Sequence, residues 1–330
     1  MTAARVGVVR VGTRGSALAL AQTRQVADLL GKASGLEIEL KTITTHGDTA
    51  TESLSQLGGT GVFTSALRDA LLNGEIDVAV HSLKDLPTAQ HPQIALAAVP
   101  KRADARDVLC ARDGLTLETL PEGARIGTGS PRRIAQLKAA RPDVEVVDIR
   151  GNIDTRLGRV FGEGDDDRRL DAIILAAAGL ARLGRADAAT QHFDLSDWPT
   201  APGQGALALE TRAEKDTSAD GRALAKALGV VNHVTTHGNV AAERAVLAGL
   251  EAGCAAPLAA TALVEDGLLF LTATVYKPDG SERLTSSHAA SLEGNGQAAL
   301  LEAAEDAAKR VVDELLAAGA ADLAPLGGSR

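Results

Sequence analysis

The stretch RIGTGSPRRIAQLKAARPDVEVVDIRGN, residues 125–152, reads as strand, turn, helix, strand, turn. Residues 125–127 form a short strand that runs into the turn Thr128-Gly129-Ser130. Pro131 then stands at a first helical position, where its missing N–H is no loss. The helix spans 131–140, and apolar β-branched residues return at 144–149. Strand, crossover helix and strand in so short a span argue for parallel pairing with helices on the sheet faces.

The alternation recurs on both sides. Upstream, 6–13 reads as a strand and 16–31 as a helix, with Ser16 at its cap and Gly31 at its end. A half-buried strand at 36–45, a Gly-rich loop at 49–61, a helix at 63–73 and a buried strand at 76–81 follow. Beyond Pro100 the strands are 108–111, 125–127, 144–149 and 172–175, with helices at 131–140 and 154–161. Pro199, Pro202 and Gly203 break the chain before a strand at 206–210. After Asn232 the order changes to a helix at 234–250, strands at 258–264, 268–276 and 283–287, and a helix at 297–317. The expected fold class is therefore α/β with mostly parallel sheets, plus a small α+β C-terminal domain.

Composition narrows the function. A chain of 330 residues carries a prior of two domains, possibly three. With 34 basic and 43 acidic residues its net charge is −9, and aromatic residues are 2%. Neither bulk attraction to nucleic acid nor base stacking on aromatic platforms is expected. Cys110 and Cys254 make no disulfide framework and no zinc-ligand spacing. The longest apolar stretch, 172–181, is about half the ~20 residues of a membrane span. No signal peptide is visible ahead of it, so the expectation is a soluble cytoplasmic chain without nucleic acid, membrane or metal.

Three features carry chemistry. Arginines sit where strands hand over to helices: Arg14 before Ser16, Arg132 and Arg133 after Ser130, and Arg150 and Arg156 around Gly151-Asn152. Parallel strand ends share one edge, and helix N-termini there present free N–H groups. Any one arginine can pair with a surface acid, but three such turns together suit a ligand with several carboxylates or phosphates. None of these loops is a Walker A or a dinucleotide fingerprint. The second feature is His81-Ser82-Leu83-Lys84-Asp85-Leu86-Pro87, which puts a base and a carboxylate at one strand end. By itself it also describes an ordinary turn, and His81 a structural histidine. The third is Cys254 among small residues in Glu251-Ala252-Gly253-Cys254-Ala255-Ala256-Pro257, open to covalent attachment or equally a small buried thiol. Cys110, inside an apolar strand, reads as core.

Together these segments resemble the porphobilinogen deaminase (hydroxymethylbilane synthase) family. The resemblance adds Val11-Gly12-Thr13-Arg14-Gly15-Ser16, Asp171-Ala172-Ile173-Ile174-Leu175 and Ala201-Pro202-Gly203-Gln204-Gly205-Ala206 to the motifs above, and covers roughly residues 6 to 265 in order. It implies two lobes like those of periplasmic binding proteins, 1–101 with 204–228 and 102–203, a lid loop at 49–61, and a C-terminal domain at 229–330. It further implies that four porphobilinogen molecules are condensed head to tail, with loss of ammonia, on a dipyrromethane cofactor joined by a thioether to Cys254. Hydrolysis then releases hydroxymethylbilane, and the enzyme is a cytoplasmic monomer. By matching position Asp85 is the catalytic carboxylate. Asp48, Ser82, Lys84, Thr128, Ser130, Arg132 and Arg133 face the cofactor, and Arg14, Ser16, Phe63, Arg150, Arg156, Arg182 and Gln204 the substrate. Two departures stand out: Thr60 replaces a common lid lysine, and Gly129 a common serine. The competing reading is a non-catalytic two-lobed binding protein for a small polycarboxylate, which the arginine turns alone would suit equally.

Overall fold

The computed structural model describes residues 7–43, 61–162, 169–253, 256–294 and 296–326. The chain divides into two compact units, Met1–Arg102 with Ala206–His237, and Ala103–Gly205 with Gly238–Arg330.

The first unit is built on strands β1 (Val8–Thr13), β2 (Glu37–Thr42), β3 (Val78–Ser82), β4 (Ile94–Ala98) and, from beyond the second crossing, β10 (Leu207–Arg212). Their order is β2-β1-β3-β10-β4. The first three run parallel, while β10 is antiparallel to both β3 and β4. Helix α1 (Ala17–Ser34) covers one face through Val26 and Leu30, against Val9, Val11, Val78 and Val80. Helix α2 (Gly61–Leu72) covers the other, where Leu67 and Leu71 meet Ala79 and Ile76. The strict alternation of Val78, Ala79 and Val80 between these two cores is the period-2 signature of a strand buried on both faces. At Gly12 a Cβ would come 2.3 Å from Ile76 Cδ1, so a side chain there would displace the buried Ile76 side chain.

The second unit contains β5 (Asp107–Ala111), β6 (Arg125–Gly127), β7 (Glu145–Val147), β8 (Ala172–Ala176) and β9 (Gln191–His192), in the order β7-β6-β8-β5-β9. The pairings β7–β6 and β6–β8 are parallel, and β8–β5 and β5–β9 antiparallel. Helices α3 (Pro131–Ala140), α4 (Ile153–Phe161) and α5 (Ala177–Arg182) follow β6, β7 and β8. Helix α6 (Ala219–Val231) belongs to the first unit; α7 (Val234–Gly249) leads into the second. There β11 (Leu258–Glu265), β12 (Leu268–Tyr276) and β13 (Arg283–Ser291) form an antiparallel meander, packed with α7 and α8 (Gln297–Ala317) around Val246, Leu271, Ala307 and Val311. Among the described residues no helix is long and apolar enough to cross a membrane.

Several element assignments need correction. Helix α1 does not stop at Gly31. It runs to Ser34, and Gly35 takes the left-handed conformation (φ 70°) that turns the chain, its N–H donating to Gly31 O. A glycine inside a helix costs only about 1 kcal/mol relative to Ala, whereas Gly35 satisfies an otherwise orphaned carbonyl. Strand β4 and helix α6 were not anticipated at all. Strand β13 extends to Ser291, four residues past the expected end.

Candidate active site

In the first unit β1 and β3 are parallel, with Val11 opposite Val78, so both strands end on one edge of the sheet. Half-buried Arg14 follows β1 there, and Ser16 opens α1 as its cap, Oγ accepting from Ala19 N at 3.3 Å. That bond uses a lone pair and leaves the hydroxyl proton to donate. Strand β3 ends at Ser82, whose hydroxyl exchanges hydrogen bonds with the Gln22 amide at 3.1 and 3.3 Å. One 3₁₀ turn, Leu83–Asp85, then buries Leu83 and leaves Lys84 and Asp85 half-buried. Leu83 N donates to Ala206 O at 3.0 Å, tying this turn to the start of β10. His81 is structural: it is buried, with Nε2 3.2 Å from Glu210 Oε2. Arg68 from α2 grips the same carboxylate at 3.0 and 2.7 Å. Burial would raise the Glu210 pKa, but His81 and Arg68 outweigh it and hold the group at about 2.

In the second unit the parallel strands β7, β6 and β8 likewise end together. Thr128 is buried and accepts from Ser130 N at 3.2 Å; Ser130 itself occupies the cap position of α3 without a side-chain capping bond. Gly129 lies so close to the next turn that a Cβ would come 2.9 Å from Ile149 O and 3.0 Å from the Asp148 carboxylate. A serine there would have to displace that backbone, so this chain's departure from the common residue is packed in.

Arg132 and Arg133 are buried at the start of α3, 3% and 6% exposed. They converge on Asp107, which the sequence reading passed over. Asp107 is the first residue of β5 and lies opposite Ala176, at the same sheet edge. Its Oδ1 accepts from Arg133 Nη2 at 2.6 Å and Gln204 Nε2 at 2.8 Å. Its Oδ2 accepts from Arg132 Nη1 at 2.9 Å and Trp198 Nε1 at 3.1 Å. Burial would raise the Asp107 pKa, but the two guanidinium charges hold it far below the usual carboxylate range. Two arginines against one aspartate leave a buried excess of one positive charge. The Nε atoms of Arg132, Arg133 and Arg182 are buried without a hydrogen-bond partner among the described residues. A buried donor left unpaired costs about 1–3 kcal/mol, which an anionic acceptor would relieve.

The remaining arginines of the second unit differ in burial and partners. Half-buried Arg156 donates from Nε to Gly151 O at 2.9 Å, and burial together with the charge on Arg133 depresses its pKa. Arg182 on α5 donates to Gly205 O at 2.7 Å, and burial lowers its pKa too. Arg150 is exposed, 3.6 Å from Asp148. Gln204 is buried, its amide nitrogen also donating to Ala105 O at 2.8 Å. It therefore supports Asp107. Phe63 lies in the first turn of α2. Asp48 and Cys254 lie outside the described residues, as does all of 49–61 except Gly61, the first residue of α2. Cys110 is core, its thiol pushed up to about 12 by burial.

Two family models match the chain. The dipyrromethane cofactor binding domain of porphobilinogen deaminase matches residues 9–220, and the porphobilinogen deaminase C-terminal domain residues 238–317. The porphobilinogen deaminase of Leifsonia xyli is 66% identical over 99% of this chain and 97% of its own length. That of Micrococcus luteus is 57% identical over 84% and 81%, and that of Cutibacterium acnes 50% identical over 97% and 98%. Among solved structures, the methionine binding protein MetQ matches 67% of this chain and 89% of its own at 13% identity, with a TM-score of 0.42.

Proposed function

The chain belongs to the porphobilinogen deaminase family, and on that premise we propose how its residues divide the work. It is a transferase that joins four porphobilinogen molecules head to tail with loss of an ammonia from each, and hydrolysis then releases hydroxymethylbilane. Relatives of 50–66% identity along nearly the whole chain favour this over a non-catalytic receptor. A dipyrromethane cofactor, when bound, supplies the pyrrole carbon to which the next unit is joined.

The observation that carries the assignment of residues is the buried pair Arg132 and Arg133, whose unpartnered Nε donors, with that of Arg182, fit a ligand bearing acetate and propionate groups. Arg132 and Arg133, with Thr128 and Ser130, hold cofactor carboxylates; Ser82, Lys84 and Asp48 complete that set. Arg156 and Arg182, with Arg150, Arg14, Ser16 and Phe63, receive the arriving substrate. Gln204 acts indirectly, by holding Asp107. Asp85 faces the cation left when porphobilinogen loses ammonia and takes up pyrrole N–H bonds.

Cys254 is the attachment point. The first pyrrole unit joins the cysteine sulfur by a thioether and the second joins the first by a carbon–carbon bond, each with departure of one ammonia, so the loaded chain weighs two porphobilinogens less two ammonias more than the bare chain. Intact-protein mass of the parent should show that increment, and Cys254→Ala should fold, lack it and be inactive. An increment that persists in Cys254→Ala, or that maps to Cys110, overturns the assignment.

We also keep a three-domain division, with lobes 1–101/204–228 and 102–203 and a C-terminal domain at 229–330. Residues 103–205 and 238–330 form one compact unit, yet each holds a sheet of its own. A cytoplasmic monomer acting on a free small molecule completes the reading, and light scattering on the purified protein tests the monomer.

A further inference from the structure

We propose that Tyr276 is a positioning residue, which ties the start of β11 to Arg132, the arginine assigned above to the cofactor's carboxylates. The inference rests on the functional reading above and concerns a residue to which that reading gave no role.

Tyr276 closes β12 and is 2% exposed. Its backbone N–H donates to Pro257 O at 2.9 Å, and its neighbour Val275 pairs with Leu258. Pro257 immediately precedes β11, so the tyrosine backbone holds the chain where that strand begins. Its side chain reaches the other way. The ring packs between Ala135 of α3 and Ala259 of β11. The hydroxyl accepts from Gln136 Nε2 at 3.2 Å. Gln136 Nε2 also donates to Pro199 O at 2.9 Å, which turns Oε1 toward Arg132 Nη1 at 2.7 Å. Arg132 in turn meets Asp107. One unbroken line of hydrogen bonds thus runs from Pro257 through Tyr276, Gln136 and Arg132 to Asp107, all within one compact unit.

The close approach is built in nearby as well. Gly280, in the turn after β12, has φ +77°, and a Cβ there would come 2.5 Å from Ala135 O and 2.8 Å from Ala139 N. The turn therefore lies flat on α3, the helix that carries Arg132 and Arg133. A phenylalanine at 276 would suffice if the position only filled space; the buried hydroxyl instead meets Gln136, which also holds Arg132.

Tyr276→Phe keeps the ring and removes the hydroxyl. A net hydrogen bond is worth a factor of roughly two to ten in an equilibrium. Protein made in a host without porphobilinogen is then supplied with it, and cofactor loading is followed by intact mass. Tyr276→Phe should load roughly two- to tenfold more slowly than the parent and, once loaded, show KM raised by a similar factor with kcat within twofold, because Asp85 is untouched. The double variant Tyr276→Phe/Gln136→Ala should be no worse than Gln136→Ala, as members of one line are not additive. Parent-like loading and KM in Tyr276→Phe, additive losses in the double variant, or a lowered melting temperature with unchanged KM would each overturn the proposal. A parent chain that gains no mass increment overturns the functional reading instead, and this inference with it.

Discussion

Asp85 sits one turn beyond a buried strand, and the value of its charge can be put on a scale. A carboxylate ~4 Å from a unit positive charge, at an effective dielectric of ~20, contributes about 4 kcal/mol. Asp85→Asn keeps the shape and loses the charge, so turnover should fall by about two to three orders of magnitude. Asp85→Glu keeps the charge on a longer arm and should retain more activity than Asn. Both variants are compared at equal cofactor loading, read by mass, and an Asn variant within a few-fold of the parent would remove the charge from the mechanism. That Asp85 and the arginine turns lie where strands end was legible because motif and strand edge coincide in a short stretch of sequence. Asp107 was not. An aspartate ahead of an apolar strand looks like an ordinary solvated strand end, and its partners Arg132, Arg133, Trp198 and Gln204 all lie distant in sequence. The only local signal is that Asp107 opens a strand every residue of which is buried.

Elements with punctuation at both ends were readable to the residue. Helix α3 starts at Pro131, and β12 is set off by Asp266-Gly267 and Lys277-Pro278. Strand β4 has only Ile94 as a β-branched residue among alanines and Leu96, and α6 carries Gly221 and Gly229 inside a short helix, so propensity argued against both. Packing on the sheet, with Ala98, Ala227 and Leu228 in one core, overrides it. The corrected end of α1 makes a paired prediction. At Gly35 nothing lies within 4 Å of an added Cβ, so Gly35→Ala meets no clash and loses only the positive φ, about 1 kcal/mol. At Gly31, inside the helix, an added Cβ makes an ordinary 3.4 Å contact with Ile38 of β2, so Gly31→Ala should stabilise by roughly 0.4–1 kcal/mol. Urea unfolding of the two variants should therefore move in opposite directions. Equal shifts would put the helix end elsewhere.

Across the whole molecule the same device recurs in both units, a carboxylate taken out of full contact with water at the sheet and held by cationic side chains. Asp107 does this in the second unit. Glu210 and Asp77 do it in the first, with Asp77 held by Arg10 at 2.8 Å and Arg212 at 3.3 Å. Burial raises the pKa of each, and the cationic partners more than reverse it, so all three end below their ordinary values. A carboxylate whose folded pKa is depressed stabilises the fold fully above its unfolded pKa, and that stabilisation is lost as pH falls toward the folded value. For Glu210 the window runs from about 4.5 down to about 2, and the contribution is about 3 kcal/mol. These three groups therefore leave stability flat between pH 5 and 8 and make it fall steeply below about 4.5, each adding up to about 1.4 kcal/mol per pH unit inside its own window. Glu210→Gln should lower the urea midpoint at pH 7, because Arg68 and His81 then face a neutral group in a buried site. It should also make the acid limb of midpoint against pH shallower by one proton's worth. If the variant is destabilised at pH 7 yet keeps the parent's slope below pH 4.5, Glu210 is not among the groups that set the acid limit.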